Sequence, residues 1–163
     1  MRASDSLRDW EAGEGSLSTR ADVIESHSEE DTVAAGRRLG ASLQGGDVVL
    51  LYGDLGAGKT AFVRGLADGL GIDPDEVTSP TFTIVQEYRG PELTLQHVDL
   101  YRLSPAEVAD LGLEDLVDSK TVMAVEWAER MPGAAPPSRI EVRIEHADDG
   151  RRLQMSRITP HRL

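Results

Sequence analysis

Gly53-Asp54-Leu55-Gly56-Ala57-Gly58-Lys59-Thr60 follows the apolar run Val48-Val49-Leu50-Leu51-Tyr52 and opens an amphipathic stretch that closes at Leu70-Gly71. The spacing is glycine, four residues, then Gly-Lys-Thr. Glycines let the main chain wrap so that successive N–H groups point inward at an anion. A helix starting at the loop aims its positive end at the same place. Lys59 then reaches the β- and γ-phosphates of a nucleoside triphosphate, and the Thr60 hydroxyl is placed to ligate magnesium. A second pattern overlaps the first, because Gly56-Ala57-Gly58-Lys59-Thr60-Ala61 also satisfies a dinucleotide fingerprint. That reading needs an acid ending a second strand about 20 residues on. Asp75 and Glu76 have the spacing but follow Pro74 in a loop, so the phosphate-loop reading is preferred.

Outward from the loop, the chain reads as one α/β domain. Ser28-Glu29-Glu30-Asp31 is a helix start, with Ser28 as cap and acids on the positive end. Val33, Ala34, Leu39 and Leu43 form its apolar stripe, and Gly45-Gly46 ends it. Asp73 to Pro80 is a loop. Residues 82–88 and 93–98 read as strands around the turn Arg89-Gly90-Pro91-Glu92. Ser104-Pro105-Ala106-Glu107 starts another helix, Val122 to Val125 is a buried strand, and Ile140 to Ile144 with Leu153 to Ile158 form a hairpin through Asp148-Asp149-Gly150. The expected fold is a three-layer P-loop NTPase-like α/β domain: a mainly parallel sheet flanked by helices, with a C-terminal antiparallel hairpin. Residues 1–20 are polar and without periodicity, and are read as a flexible extension; residues 21–163 are the single domain.

Composition narrows the function. The formal net charge is -12, which disfavours unaided tight binding of RNA or DNA and favours a protein partner. There is no cysteine, so disulfides and thiolate metal sites are excluded and a reducing, cytoplasmic location is expected. No apolar stretch is long enough for a membrane span. The chain has two lysines, Lys59 and Lys120, and one of them stands in the glycine loop, where a compact point charge on a flexible stem is useful.

Magnesium on a triphosphate takes hard oxygen ligands, usually a hydroxyl and a carboxylate. Asp99 and Glu126 each end an apolar strand, where ligands gather in open α/β sheets; solvated turn residues stand there too. Thr78-Ser79-Pro80-Thr81-Phe82-Thr83 is either a hydroxyl-rich loop that senses the γ-phosphate or a rigid proline turn. His97 has no partner histidine at ligand spacing and reads as a structural or surface residue. Trp127 and Arg130 suit a base and a phosphate or partner, and equally suit core or surface.

Four motifs in series, the loop at 53–60, Ser79-Pro80-Thr81-Phe82, His97-Val98-Asp99-Leu100-Tyr101-Arg102-Leu103 and Glu126-Trp127, together resemble the TsaE (YjeE) family across about residues 26 to 158. The resemblance implies an ATPase subunit of the machinery that places threonylcarbamoyl on the adenosine beside the tRNA anticodon. It also implies work with a TsaB and TsaD pair, in which TsaD performs the transfer and tRNA is met only through the complex. On that pattern the catalytic residues are Lys59, Asp99 and Glu126. Thr60, Glu126 and Asp99 lie at the magnesium. The ATP contacts are Ser28, Gly56, Ala57, Gly58, Lys59, Thr60, Ala61 and Arg151, with Ser28 in the N-terminal segment and Arg151 after Gly150 as the weaker matches. Which of Asp99 and Glu126 orients water and which holds metal is left open. Two rival activities remain: a small P-loop kinase, with Arg102 and Arg130 as candidate lid arginines, and a non-catalytic module that nucleotide only regulates. A GTPase is disfavoured, since no Asn-Lys-x-Asp stretch occurs.

Overall fold

The structure is a computed structural model that describes residues 17–53, 58–78, 84–131 and 136–160. Gly56, Ala57, the segment 79–83 and most of the N-terminal extension lie outside the described residues. Seven strands make one sheet: β1 (Leu17–Ser26), β2 (Val48–Gly53), β3 (Val85–Arg89), β4 (Thr94–Asp99), β5 (Thr121–Glu126), β6 (Arg139–Ala147) and β7 (Gly150–Pro160). Their spatial order is β1-β7-β6-β2-β5-β4-β3. The four central strands β6, β2, β5 and β4 run parallel, and antiparallel pairs flank them on both sides. The expected mainly parallel centre and C-terminal hairpin are both present. No helix among the described residues is long and apolar enough to cross a membrane.

Strand β1 was not anticipated. Four residues assigned to the flexible extension, 17–20, pair with β7 along with the six that follow them. Its sequence gave no signal because it is an edge strand whose exposed residues include Asp22, Val23 and Glu25. Main-chain pairing to β7 holds it, and β7 in turn begins at a glycine for a steric reason: a Cβ on Gly150 would lie 2.1 Å from the Ser26 carbonyl oxygen.

Helices α1 (Glu29–Ser42) and α2 (Lys59–Gly69) cover one face of the sheet. Ser28 caps α1 as expected, accepting from the Asp31 N–H. The stripe read from Val33, Ala34, Leu39 and Leu43 is corrected in part: Leu43 is buried at the end of the helix, but the buried face of α1 is Thr32, Ala35, Gly36 and Gly40, and Val33, Ala34 and Leu39 are only partly buried. The cause lies in α2. A Cβ on Gly36 would come 2.3 Å from the Phe62 carbonyl oxygen, and one on Gly40 2.4 Å from that of Leu66. Reciprocally, a Cβ on Gly65 would come 2.1 Å from the Val33 oxygen, and one on Gly69 2.4 Å from that of Arg37. The helices therefore meet main chain against main chain. Exposed ion pairs Arg37–Asp68 and Arg64–Glu29 border this seam. At roughly 0–1 kcal/mol each, such surface pairs are decoration on it.

The opposite face is covered by the short α3 (Pro105–Ala109) and nearby turns, over a second core of Val48, Leu50, Val98, Leu100, Val108 and Met123. Ser104 and Glu107 form a reciprocal capping box at α3. Strand β3 begins at Val85, later than the expected residue 82.

Candidate functional site

Period-two alternation decides which residues meet. Leu95, His97 and Asp99 on β4, and Val122, Ala124 and Glu126 on β5, point to the α2 face. Asp99 and Glu126 are register partners at the carboxyl ends of their strands. Strand β2 ends beside them, and its Leu51 pairs with Glu126. The next described residue after Gly53 is Gly58, which has φ +107 and delivers the chain into α2 at Lys59. That conformation is strained for any residue with a Cβ.

Lys59 is 5% exposed. Its ammonium donates to the Gly53 carbonyl oxygen and lies 3.6 Å from the centre of the Trp127 ring. Trp127 is the only non-glycine residue with positive φ among the described residues, at +59, and its ring also packs on Tyr101 with centroids 4.9 Å apart. The tryptophan is thus part of the site's wall, half-buried beneath the lysine. Thr60, one residue on, places its hydroxyl 3.3 Å from both oxygens of Glu126. Ala61 is buried in the same turn.

Glu126 is 3% exposed, yet it is a carboxylate, and it has a second partner: His97 Nε2 lies 2.5 Å from its Oε2. Of the two readings of His97, structural or surface, the buried position selects the structural one, and its partner is a residue the sequence did not suggest. The available signal was its place two residues before Asp99 on one strand, hence on the same face. Asp99 is half-buried and accepts from the Tyr101 N–H at 3.0 Å. Burial raises its pKa above the ordinary aspartate value; the Tyr101 N–H works against this and the Glu126 charge adds to it.

The weaker sequence candidates fall nearby. The N-terminal turn of α1 borders the loop, with the Thr32 methyl 3.7 Å from where a Gly58 Cβ would stand. Ser28 spends its side-chain oxygen on its own helix. Arg151 pairs with Ser26 across the β1–β7 ladder, at the end of β1 that leads to Ser28. Arg130 sits partly buried in the turn after Trp127, and Arg102 is exposed.

Chemically, the site offers a buried ammonium at a helix start, one hydroxyl and two carboxylates. Among the described residues no three His, Cys, Asp or Glu side chains are grouped to hold a metal by themselves. A donor set of one hydroxyl and one or two carboxylates fits magnesium, which takes its remaining ligands from phosphate and water.

The raised Asp99 pKa makes a stability prediction. Below the unfolded-state value near 3.8 both states are protonated and nothing is lost; as pH rises through the folded-state value, the folded protein ionises Asp99 against its surroundings and stability falls. An asparagine can still accept from Tyr101. Ligand-free Asp99→Asn should therefore melt higher than wild type at pH 7, with the gap closing as the pH falls toward ~4. Calorimetric melts across that range are the check.

The family model described as "Threonylcarbamoyl adenosine biosynthesis protein TsaE" matches residues 26–154. A tRNA threonylcarbamoyladenosine biosynthesis protein TsaE from Nostoc sp. is 44% identical over 135 residues, covering 80% of this chain and 81% of the relative. The Bacillus subtilis protein of the same name is 44% identical over 123 residues, 76% of this chain and 77% of the relative. The crystal structure of Bacillus subtilis YdiB superposes with a TM-score of 0.65 at 34% identity, covering 88% of each chain.

Proposed function

Because the chain belongs to the TsaE family of threonylcarbamoyladenosine biosynthesis proteins, we propose that it serves tRNA modification as a magnesium-dependent ATPase acting on a TsaB–TsaD partner complex. The observation that carries the ATPase reading is the Thr60–Glu126 contact beside a buried lysine at the start of α2. A phosphate chain would lie at the start of α2, met by N–H groups of its first turn. Lys59 would leave the Gly53 carbonyl and the Trp127 face to meet the terminal phosphates. Thr60 and Glu126 would hold magnesium, which when bound neutralises charge on the β- and γ-phosphate oxygens. Asp99, beside Glu126 and with a raised pKa, would orient the attacking water and support the metal. Trp127 and Tyr101 would wall one side against solvent.

The net charge of -12 suits a subunit that reaches tRNA only through partners. Turnover alone should be slow, with partners completing the geometry. The small-kinase reading gains nothing from the site, and the relatives are named for tRNA modification.

The deciding experiment reconstitutes tRNA threonylcarbamoylation with TsaB and TsaD, with and without this chain and ATP. Product formation should require both. Asp99→Asn should lower ATP hydrolysis by about 10²–10⁴-fold while nucleotide still binds. Wild-type hydrolysis in that variant, or a phosphorylated small molecule as product in place of free phosphate, would overturn the reading.

A further inference from the structure

His97 has two ring nitrogens and the fold uses one. Nε2 meets Glu126 Oε2 at 2.5 Å, while Nδ1, in a residue with 0% exposure, has no hydrogen-bond partner among the described residues. An imidazole nitrogen that faces a carboxylate serves it as an N–H donor, which leaves Nδ1 in the core with no hydrogen bond to another described residue. A buried polar atom without a partner costs folding free energy. An apolar side chain of similar volume would avoid that cost. What it would lack is a donor for Glu126, whose other partner among the described residues is the Thr60 hydroxyl at 3.3 Å from each oxygen. Asp99, on the neighbouring strand in register with Glu126, places a second carboxylate at the same edge and offers no donor when ionised.

We propose that His97 is a positioning residue: by holding Oε2 of Glu126, it keeps Oε1 and the Thr60 oxygen together as a preformed pair of hard ligands for a divalent cation. This rests on the nucleotide–magnesium reading above. In this role His97, 0% exposed, acts through Glu126 and is not itself a ligand.

The test compares His97→Gln with His97→Met in the full chain. The two side chains are of nearly equal length, and only glutamine carries an N–H donor. Mn²⁺ is titrated into protein holding a non-hydrolysable ATP analogue and free Mn²⁺ is followed by electron paramagnetic resonance. Analogue binding without metal is measured separately by calorimetry in EDTA. His97→Met should weaken Mn²⁺ by about 10–100-fold, and His97→Gln should recover most of the loss. Metal-free analogue binding should be the same in both variants and the wild type. In a Glu126→Gln background, His97→Met should add no further loss. Equal Mn²⁺ affinity in the Met and Gln variants overturns the proposal.

A readout on the wild type stands even where a variant does not fold. ¹⁵N NMR of His97 should show the proton on Nε2, and a proton on Nδ1 with Nε2 bare overturns the proposal. Wild-type protein that binds no analogue at saturating Mn²⁺ brings down the nucleotide reading and this one with it. Wild type that binds, beside Met and Gln variants that hold Mn²⁺ alike, brings down the role of His97 alone.

Discussion

Replacing Lys59 with alanine should weaken ATP binding by about 2–5 kcal/mol, the usual cost of removing one member of a buried charge pair. That is roughly 30-fold to several-thousandfold in Kd, enough to put binding beyond ordinary calorimetry. Two terms compete. In the ligand-free protein the ammonium already has the Gly53 carbonyl and the Trp127 ring, so moving to phosphate gives those up. A cation–π contact is worth about 0.5–2 kcal/mol, and a hydrogen bond from a charged ammonium to a carbonyl about 1.5–3 kcal/mol. A phosphate chain carries several negative charges and meets the lysine in a site largely shielded from water, so the second arrangement wins. Lys59→Arg should also fail, since a planar fork does not fit where the main chain turns at Gly58. ATP bound at wild-type strength by Lys59→Ala, measured by calorimetry, would remove the basis for the proposed function.

Changing Gly65 to alanine should destabilise the protein by about 3 kcal/mol or more, the upper range for overpacking a core. In an open helix the same change would stabilise by about 0.8–1.0 kcal/mol through helix propensity, so the sign of the effect tests the geometry. Here the new methyl would stand 2.1 Å from the Val33 carbonyl oxygen. The obstacle is main chain, and no side-chain rotation relieves it. At about 2–4 °C per kcal/mol for a chain of this size, the melting temperature should fall by roughly 6–12 °C. Thermal melts of Gly65→Ala beside wild type are the measurement, and a melting temperature at or above wild type would refute the close approach.

The same seam shows where the sequence was legible and where it was not. The glycine loop, the strand before it and the helix after it were readable because their residue types are dictated by local backbone chemistry. Asp99 and Glu126 were readable because a carboxylate ending an apolar strand has a known place in such sheets. Three features escaped. Apolar periodicity gives no weight to Gly36 and Gly40, so the stripe was drawn through Val33, Ala34, Leu39 and Leu43, of which the structure buries only Leu43. Strand β1 is held by main-chain bonds to β7, which leave little trace in side chains. His97 was judged by its lack of a second histidine, when its partner was a glutamate 29 positions away on the adjacent strand.

A joint made of carbonyls and α-carbons has no rotamers with which to repack, so α1 and α2 can neither slide nor roll past each other by small steps. A shift at Lys59 and Thr60, where α2 begins, is therefore expected to carry to Ser28, where α1 begins, and towards the edge strand that ends at Ser26.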